Sequence, residues 1–334
     1  MILALNIGNS NITFGGYTPD GKLVFSSRLF ADTALSSDEL LYKIVNMLAL
    51  YGAEPQQITA VIFSSVVPAL TPRLREALRK MCECQIMEVG PGLKSGVRIR
   101  MDNPAQLGGE LLCAIVGALQ RCTPPCVVVN FDTATTLLAV DSTGALVGGS
   151  ILPGPQCSLS ALVRNTAQLP QVELEARPRR LLGANTADCL HSGIVYGTAA
   201  MLDGMVAQIR AALGAPDAPV VATGTLPDSV RTACATDIVY RETLVLEGLY
   251  WMSLIFSLKS CKGRRIRGSN ILVAGHPCRG RRPRRPAEGS RPLPTMWKVR
   301  GWSWESVRAG HARPLRGGSR RGDGTLLRLL PHTQ

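Results

Sequence analysis

The residues whose types and spacing best suit chemistry lie in two short turns. The first is within Asn6-Ile7-Gly8-Asn9-Ser10-Asn11-Ile12-Thr13, the second within Asn130-Phe131-Asp132-Thr133-Ala134-Thr135-Thr136. In each, an apolar β-prone run stops at an Asn, a polar turn follows, and a second β-prone run leaves it. Such turns present backbone N–H groups and hydroxyls, which hold a nucleotide's phosphates, and a Gly lets a phosphate approach the backbone closely. Two of them facing each other would line a cleft. Read alone, Asn6 and Asn130 also suit the plainer task of ending a strand.

The elements that must position these turns repeat as well. Strands are expected near 2–7, 11–17 and 23–29, and again near 126–130, 134–140 and 145–151. Ser36-Ser37-Asp38-Glu39 reads as the capped start of a helix, with Leu40, Leu41, Ile44, Val45 and Leu48 at helical spacing. Further helices are expected over 71–82, from Pro104 to about 120, from 155 to about 166, over 186–213 and from 242 to about 258. Further strands are expected near 60–63, 85–89 and 219–222. Strands in threes followed by alternating helix and strand, twice over, indicate a duplicated α/β body. No G-x-G-x-x-G follows a strand and no G-x-x-x-x-G-K-[ST] loop is present, so any nucleotide must be held by the hairpins.

The net charge of +13 belongs to one end of the chain. Residues 1–261 carry 19 Lys/Arg against 21 Asp/Glu, whereas residues 262–334 carry 18 against 3. The body therefore has no electrostatic footprint for nucleic acid. Ten cysteines are scattered without a C-x-x-C pair or zinc spacing, as expected of reduced thiols. No basic n-region opens the chain and no apolar run approaches about 18 residues. A soluble cytoplasmic protein is expected. The Arg-, Gly-, Pro- and Trp-rich stretch from Lys262 has three readings: a basic arm, a solvated disordered extension, or an out-of-frame reading of GC-rich DNA. The abrupt change of composition favours the last.

Over residues 1 to about 258 the chain resembles the type III pantothenate kinases, a bacterial family of the actin-like, hexokinase-like and acetate kinase-like superfamily. Asn6-Ile7-Gly8-Asn9-Ser10-Asn11 is similar to the family's opening phosphate loop, and Ser64-Ser65-Val66-Val67-Pro68 to its S-S-V-V-P. Asn103-Pro104 through Gly108-Gly109-Glu110-Leu111 matches the substrate segment, which ends G-A-D-R in the family. Asn130 to Thr136 stands where the family has D-x-G-T-A-T-T, and Gly148 to Gly154 matches its G-G-x-I-x-P-G turn. Gly183-Ala184-Asn185-Thr186 and Leu246-Glu247-Gly248-Leu249 follow in family order.

The resemblance implies a duplicated actin-like (ribonuclease H-like) ATPase fold. It has lobes at 1–121 and 122–261 with the nucleotide cleft between them, and 262–334 outside. It implies ATP-dependent phosphorylation of pantothenate to 4′-phosphopantothenate, the first step of coenzyme A biosynthesis, by a homodimer. Mg²⁺ and a monovalent cation, K⁺ or NH₄⁺, would be needed. Asn6, Ile7, Gly8, Asn9, Ser10, Asn11, Ile12, Thr13 and Thr133 would meet the ATP phosphates. Glu110 would be the base. Met101, Gly108, Gly109, Glu110 and Leu111 would form the pantothenate pocket, with Thr186 contributing across the dimer interface. Asn130 and Asp132 would serve the metal ions.

The chain departs from the family pattern on the chemistry itself. Asn6, Glu110 and Asn130 each stand where the family has Asp; Leu111 replaces an Arg, Asp132 a Gly, and Met101 an aromatic residue. Three of four key charged positions are thus neutral. Loss of a preorganised charged group typically costs about 3–4 kcal/mol at the transition state, so a reduced rate is expected. The other reading is a non-catalytic paralogue that binds pantothenate or nucleotide. Asp132 either repels phosphates or partly replaces the carboxylate missing at 130.

Overall fold

The run Ile2–Ile7 (β1) is buried from end to end, because it lies in the middle of a sheet covered on both faces. The computed structural model describes residues 1–90, 93 and 95–260, apart from the side chains of 257–260. The expectations for 262–334 lie outside the described residues. β2 (Asn11–Tyr17) and β3 (Leu23–Phe30) pair antiparallel beside β1, and β4 (Ala60–Ser65) and β5 (Gln85–Val89) continue parallel on its other side. The order is β3-β2-β1-β4-β5. The second sheet repeats it strand for strand. β6 (Cys126–Phe131), β7 (Ala134–Val140) and β8 (Leu146–Pro153) form the meander, and β9 (Val220–Gly224) and β10 (Ile238–Tyr240) add parallel, in the order β10-β9-β6-β7-β8. This is the duplicated, two-lobed α/β architecture of actin-like ATPases.

Period-two alternation decides what each sheet face meets. Leu3, Leu5 and Ile7 join Leu40, Ile44 and Leu48 of α1 (Ser37–Leu50) and Leu74 and Leu78 of α2 (Thr71–Met81). Ala4, on the other face, shares a core with Val128 of the second sheet and with α3 (Gly109–Leu119) and α7 (Leu244–Ser260). The outer face of the second sheet, with Val127, Val129 and Phe131, packs on Leu202 and Val206 of α5 (Thr186–Ala212). α3 and α7 therefore fill the space between two sheets. That explains why α3 is apolar all round rather than amphipathic. The predicted cap of α1 forms as a capping box between Ser36 and Glu39.

Two glycines let α3 and α7 come together. A Cβ on Gly117 would overlap the Leu244 carbonyl oxygen, and one on Gly248 would overlap that of Cys113. Neither obstacle is a flexible side-chain end. Gly248→Ala is expected to cost at least about 1–3 kcal/mol through overpacking. The measurement is the urea midpoint, which should fall; an unchanged midpoint would refute the reading.

One local expectation needs correction, and two short elements were not expected. The helix expected from Pro104 is a 3₁₀ turn at Pro104–Gln106, and α3 begins only at Gly109. Leu107 and Gly108 are extended between them, so the chain restarts with Gly108 as N-cap. The short α6 (Asp228–Ala233) and β10 fell below what periodicity can reveal. α4 spans Pro155–Asn165, as expected to within one residue. Asp203, inside α5, accepts the backbone N–H groups of Ala235 and Thr236 at 2.8 Å each and so fastens the exit of α6. No described helix is long and apolar enough to cross a membrane.

Candidate active site

Strand register places the polar residues in matching rows. In the first sheet Arg28, Thr13, Asn6 and Ser64 lie side by side across β3, β2, β1 and β4. In the second, Thr136, Asn130 and Thr223 lie side by side across β7, β6 and β9. Asn6 and Asn130 are thus counterparts, as are Ser64 and Thr223. Two residues beyond each Asn stand Gly8 and Asp132.

The two hairpins meet. Ser10 Oγ and Thr133 Oγ1 are 3.3 Å apart. A Cβ added to Gly8 would stand 3.4 Å from the Asp132 carboxylate. Between them is a cavity of about 50 Å³, whose lining includes Asn6, Gly8, Thr13, Glu110, Asn130 and Asp132, with Asn11 beside them. At the ~10–15 Å³ that each water requires, it admits only an ion and a few waters.

Glu110 is the central group. It lies in the first turn of α3 and is 9% exposed. Asn130 Nδ2 donates to its Oε1 at 3.1 Å. Asn6 lines the same cavity from the first hairpin, its Oδ1 accepting from Ser64 Oγ at 2.6 Å, and its amide helps to lower the Glu110 pKa. One carboxylate thus shares its cavity with an amide from each half of the duplication, and is hydrogen-bonded to that of Asn130. Gly109 makes the approach possible: a Cβ there would come within 2.8 Å of the Val89 carbonyl oxygen. Burial raises the Glu110 pKa, and the charge of Asp132 adds to the rise; the hydrogen bonds from Asn130 and Asn6 oppose it. Asp132 is raised by burial too, against a backbone hydrogen bond at Thr133 and the positive charge of Arg28.

Two buried oxygens here lack partners. Asn130 Oδ1 and Thr135 Oγ1 have no hydrogen bond, although Asn130 is only 5% exposed. A buried carbonyl oxygen without a donor, on a residue that lines a cavity, suits a cation. No group of three or more His, Cys, Asp or Glu that could hold a metal occurs among the described residues. The lining is compatible with Mg²⁺ held by one carboxylate and substrate phosphates.

Not every residue singled out from the sequence reaches the cavity. The side chains of Ile7 and Ile12 are in the core beneath the first sheet, so only their backbone can face a ligand. The Gly8 N–H already donates to the Asn11 carbonyl at 2.9 Å, so it is not free for phosphate. Asn9 is exposed at the turn. Gly108 is the N-cap of α3, and Met101 and Leu111 pack against the central core. Thr186 is the first residue of α5, exposed and outside the cavity lining. Conversely, Arg28, Thr223 and Glu242 line the cavity although no motif marks them. Following the repeat into the fourth strand of each lobe would have found Thr223 opposite Ser64.

Comparison with known proteins gives consistent results. The model of the type III pantothenate kinase family matches residues 2–208. A type III pantothenate kinase of Myxococcus xanthus is 37% identical over 249 residues, covering 75% of this chain and 96% of that protein. One of Rhodospirillum centenum is 38% identical over 230 residues, covering 68% and 87%. Among solved structures, a candidate 2-dehydro-3-deoxygalactonokinase protein of Sinorhizobium meliloti has a TM-score of 0.50 at 13% identity, over 77% of this chain and 99% of that one. This last likeness is one of fold alone.

Proposed function

The chain belongs to the type III pantothenate kinase family, and we propose that its cleft is where the γ-phosphoryl group of ATP passes to pantothenate. The observation that carries this assignment is Glu110, a buried carboxylate hydrogen-bonded to Asn130 in the cavity that Asn6 also lines, where both hairpins meet. In the transfer, a new bond forms between the pantothenate hydroxyl oxygen and phosphorus, and the bond from phosphorus to the ADP oxygen breaks. The hydroxyl proton goes to Glu110.

The polar groups of Asn9, Ser10, Asn11, Thr13 and Thr133 meet the phosphates, together with backbone N–H groups of the first turn other than that of Gly8. Asp132 is the carboxylate best placed to hold Mg²⁺, and the orphaned Asn130 Oδ1 suits K⁺ or NH₄⁺. When bound, the cations would neutralise phosphate charge. Gly108, Gly109, Leu111 and Met101 belong to the acceptor side, and Thr186 reaches pantothenate from a second copy in a cytoplasmic homodimer. The lobes divide at 121/122.

The amides at 6 and 130 and the Leu at 111 leave the site poor in charge, which favours a slow enzyme. The test is coupled detection of ADP release by the full chain with ATP, Mg²⁺, K⁺ and pantothenate. Turnover should depend on pantothenate and fall well below the about 1–100 s⁻¹ of ordinary kinases. Turnover within that range would refute the impairment; ADP release indifferent to pantothenate would refute the acceptor.

A further inference from the structure

We propose that Arg28 is the cation that grips the donor's phosphates, and that Glu242 holds it at the cleft until the donor arrives. The proposal rests on the reading of the cleft as the ATP site. The residues lining the cavity include three carboxylates, Glu110, Asp132 and Glu242, and a single cationic side chain, Arg28. A triphosphate entering such a surface meets net negative charge. With Leu at 111, Arg28 is the cation at hand to offset it.

The geometry places Arg28 accordingly. It lies on β3 directly opposite Thr13, in the row that continues to Asn6. Its Nη2 donates to Glu242 Oε1 at 3.1 Å, so it joins the first lobe to the segment just before α7. A neighbouring cavity of about 290 Å³, with Ser26, Ser27 and Thr243 on its wall, shares Thr13, Arg28 and Glu242 with the cleft. The ion pair therefore stands between the two spaces. Both partners are exposed, Arg28 at 36% and Glu242 at 66%, and such pairs contribute little to stability. A guanidinium fork matches phosphate oxygens better than a lone exposed carboxylate, and Glu242 can return to water at little cost. The positive charge of Arg28 is already felt at Asp132, on the second hairpin.

The test is titration calorimetry of the full chain with Mg²⁺ and a non-hydrolysable ATP analogue, and separately with AMP. Arg28→Ala should weaken analogue binding about 10- to 100-fold, the size of a charge-assisted hydrogen bond, and leave AMP nearly unaffected. Glu242→Gln should tighten analogue binding about 2- to 5-fold, because it removes the competitor of an exposed pair. A merely structural ion pair would make the two variants alike. Wild-type affinity in Arg28→Ala overturns the proposal. Should Arg28→Ala fail to fold, Glu242→Gln decides: unchanged or weaker binding overturns it. No analogue binding by the wild-type chain would overturn the ATP-site reading, and the proposal with it.

Discussion

Glu110→Gln is expected to lower the rate of pantothenate phosphorylation by about 10²–10⁴-fold, the usual contribution of a positioned base. The same change should raise the melting temperature at neutral pH. The physical reason is common to both effects. Burial raises the Glu110 pKa, so folding favours the protonated form. A group raised in this way contributes stability that is complete below its unfolded pKa and is lost as pH rises through the folded value. Above that value the wild type keeps a buried anion, whereas Gln stays neutral and can still accept from Asn130 Nδ2. The stability gain should therefore be largest near about pH 8 and vanish near about pH 4. The wild-type rate should show an acid limb above the ordinary carboxylate range. Thermal melts at both pH values and a pH–rate profile check this. A melting temperature lowered equally at both, with the rate intact, would contradict the role.

Asn130→Asp alone is expected to reduce the rate by at least about 10²-fold, although it restores the family's residue. Asn130 Nδ2 lies 3.1 Å from Glu110 Oε1, so an Asp there would set two carboxylates against each other. At an effective dielectric of ~20, like charges 4 Å apart repel by about 4 kcal/mol, and the pair would instead share a proton. The base would then be protonated when it is needed. Glu110 is one methylene longer than Asp, and it reaches position 130 without repulsion because an amide stands there. Adding Glu110→Asp shortens the reach, so the double variant should recover much of the loss. With Asp at 6, Arg at 111 and Gly at 132 as well, the rate should exceed that of the wild type. A kcat/KM cycle over the two single variants and the double measures the coupling. An Asn130→Asp rate at or above wild type would show that the amide pair is not a matched set.

The sequence revealed the hairpins because each apolar run ends at an Asn and resumes after a polar turn. It revealed the duplication because the pattern recurs after about half the body, and the capped α1 because Ser36 and Glu39 have the right spacing. Other features depend on three-dimensional placement. The contact of Glu110 with Asn130 exists because α3 lies between the two sheets, and no local pattern encodes that. Arg28 escaped notice because it sits mid-strand outside any motif, and its neighbours Thr13 and Glu242 come from register and from the other lobe. The sequence also suggested that the whole stretch from Asn6 to Thr13 would face phosphate. The pleat sends Ile7 and Ile12 into the core and the turn uses the Gly8 N–H, so fewer groups remain.

The most direct test of the account is amide hydrogen exchange on the full chain, with and without a non-hydrolysable ATP analogue and Mg²⁺. Slower exchange is predicted in both peptides that carry the turns, around Asn9–Asn11 and around Asp132–Thr135. Protection in only one turn, or in neither despite saturating analogue, would contradict a phosphate site shared by the two halves.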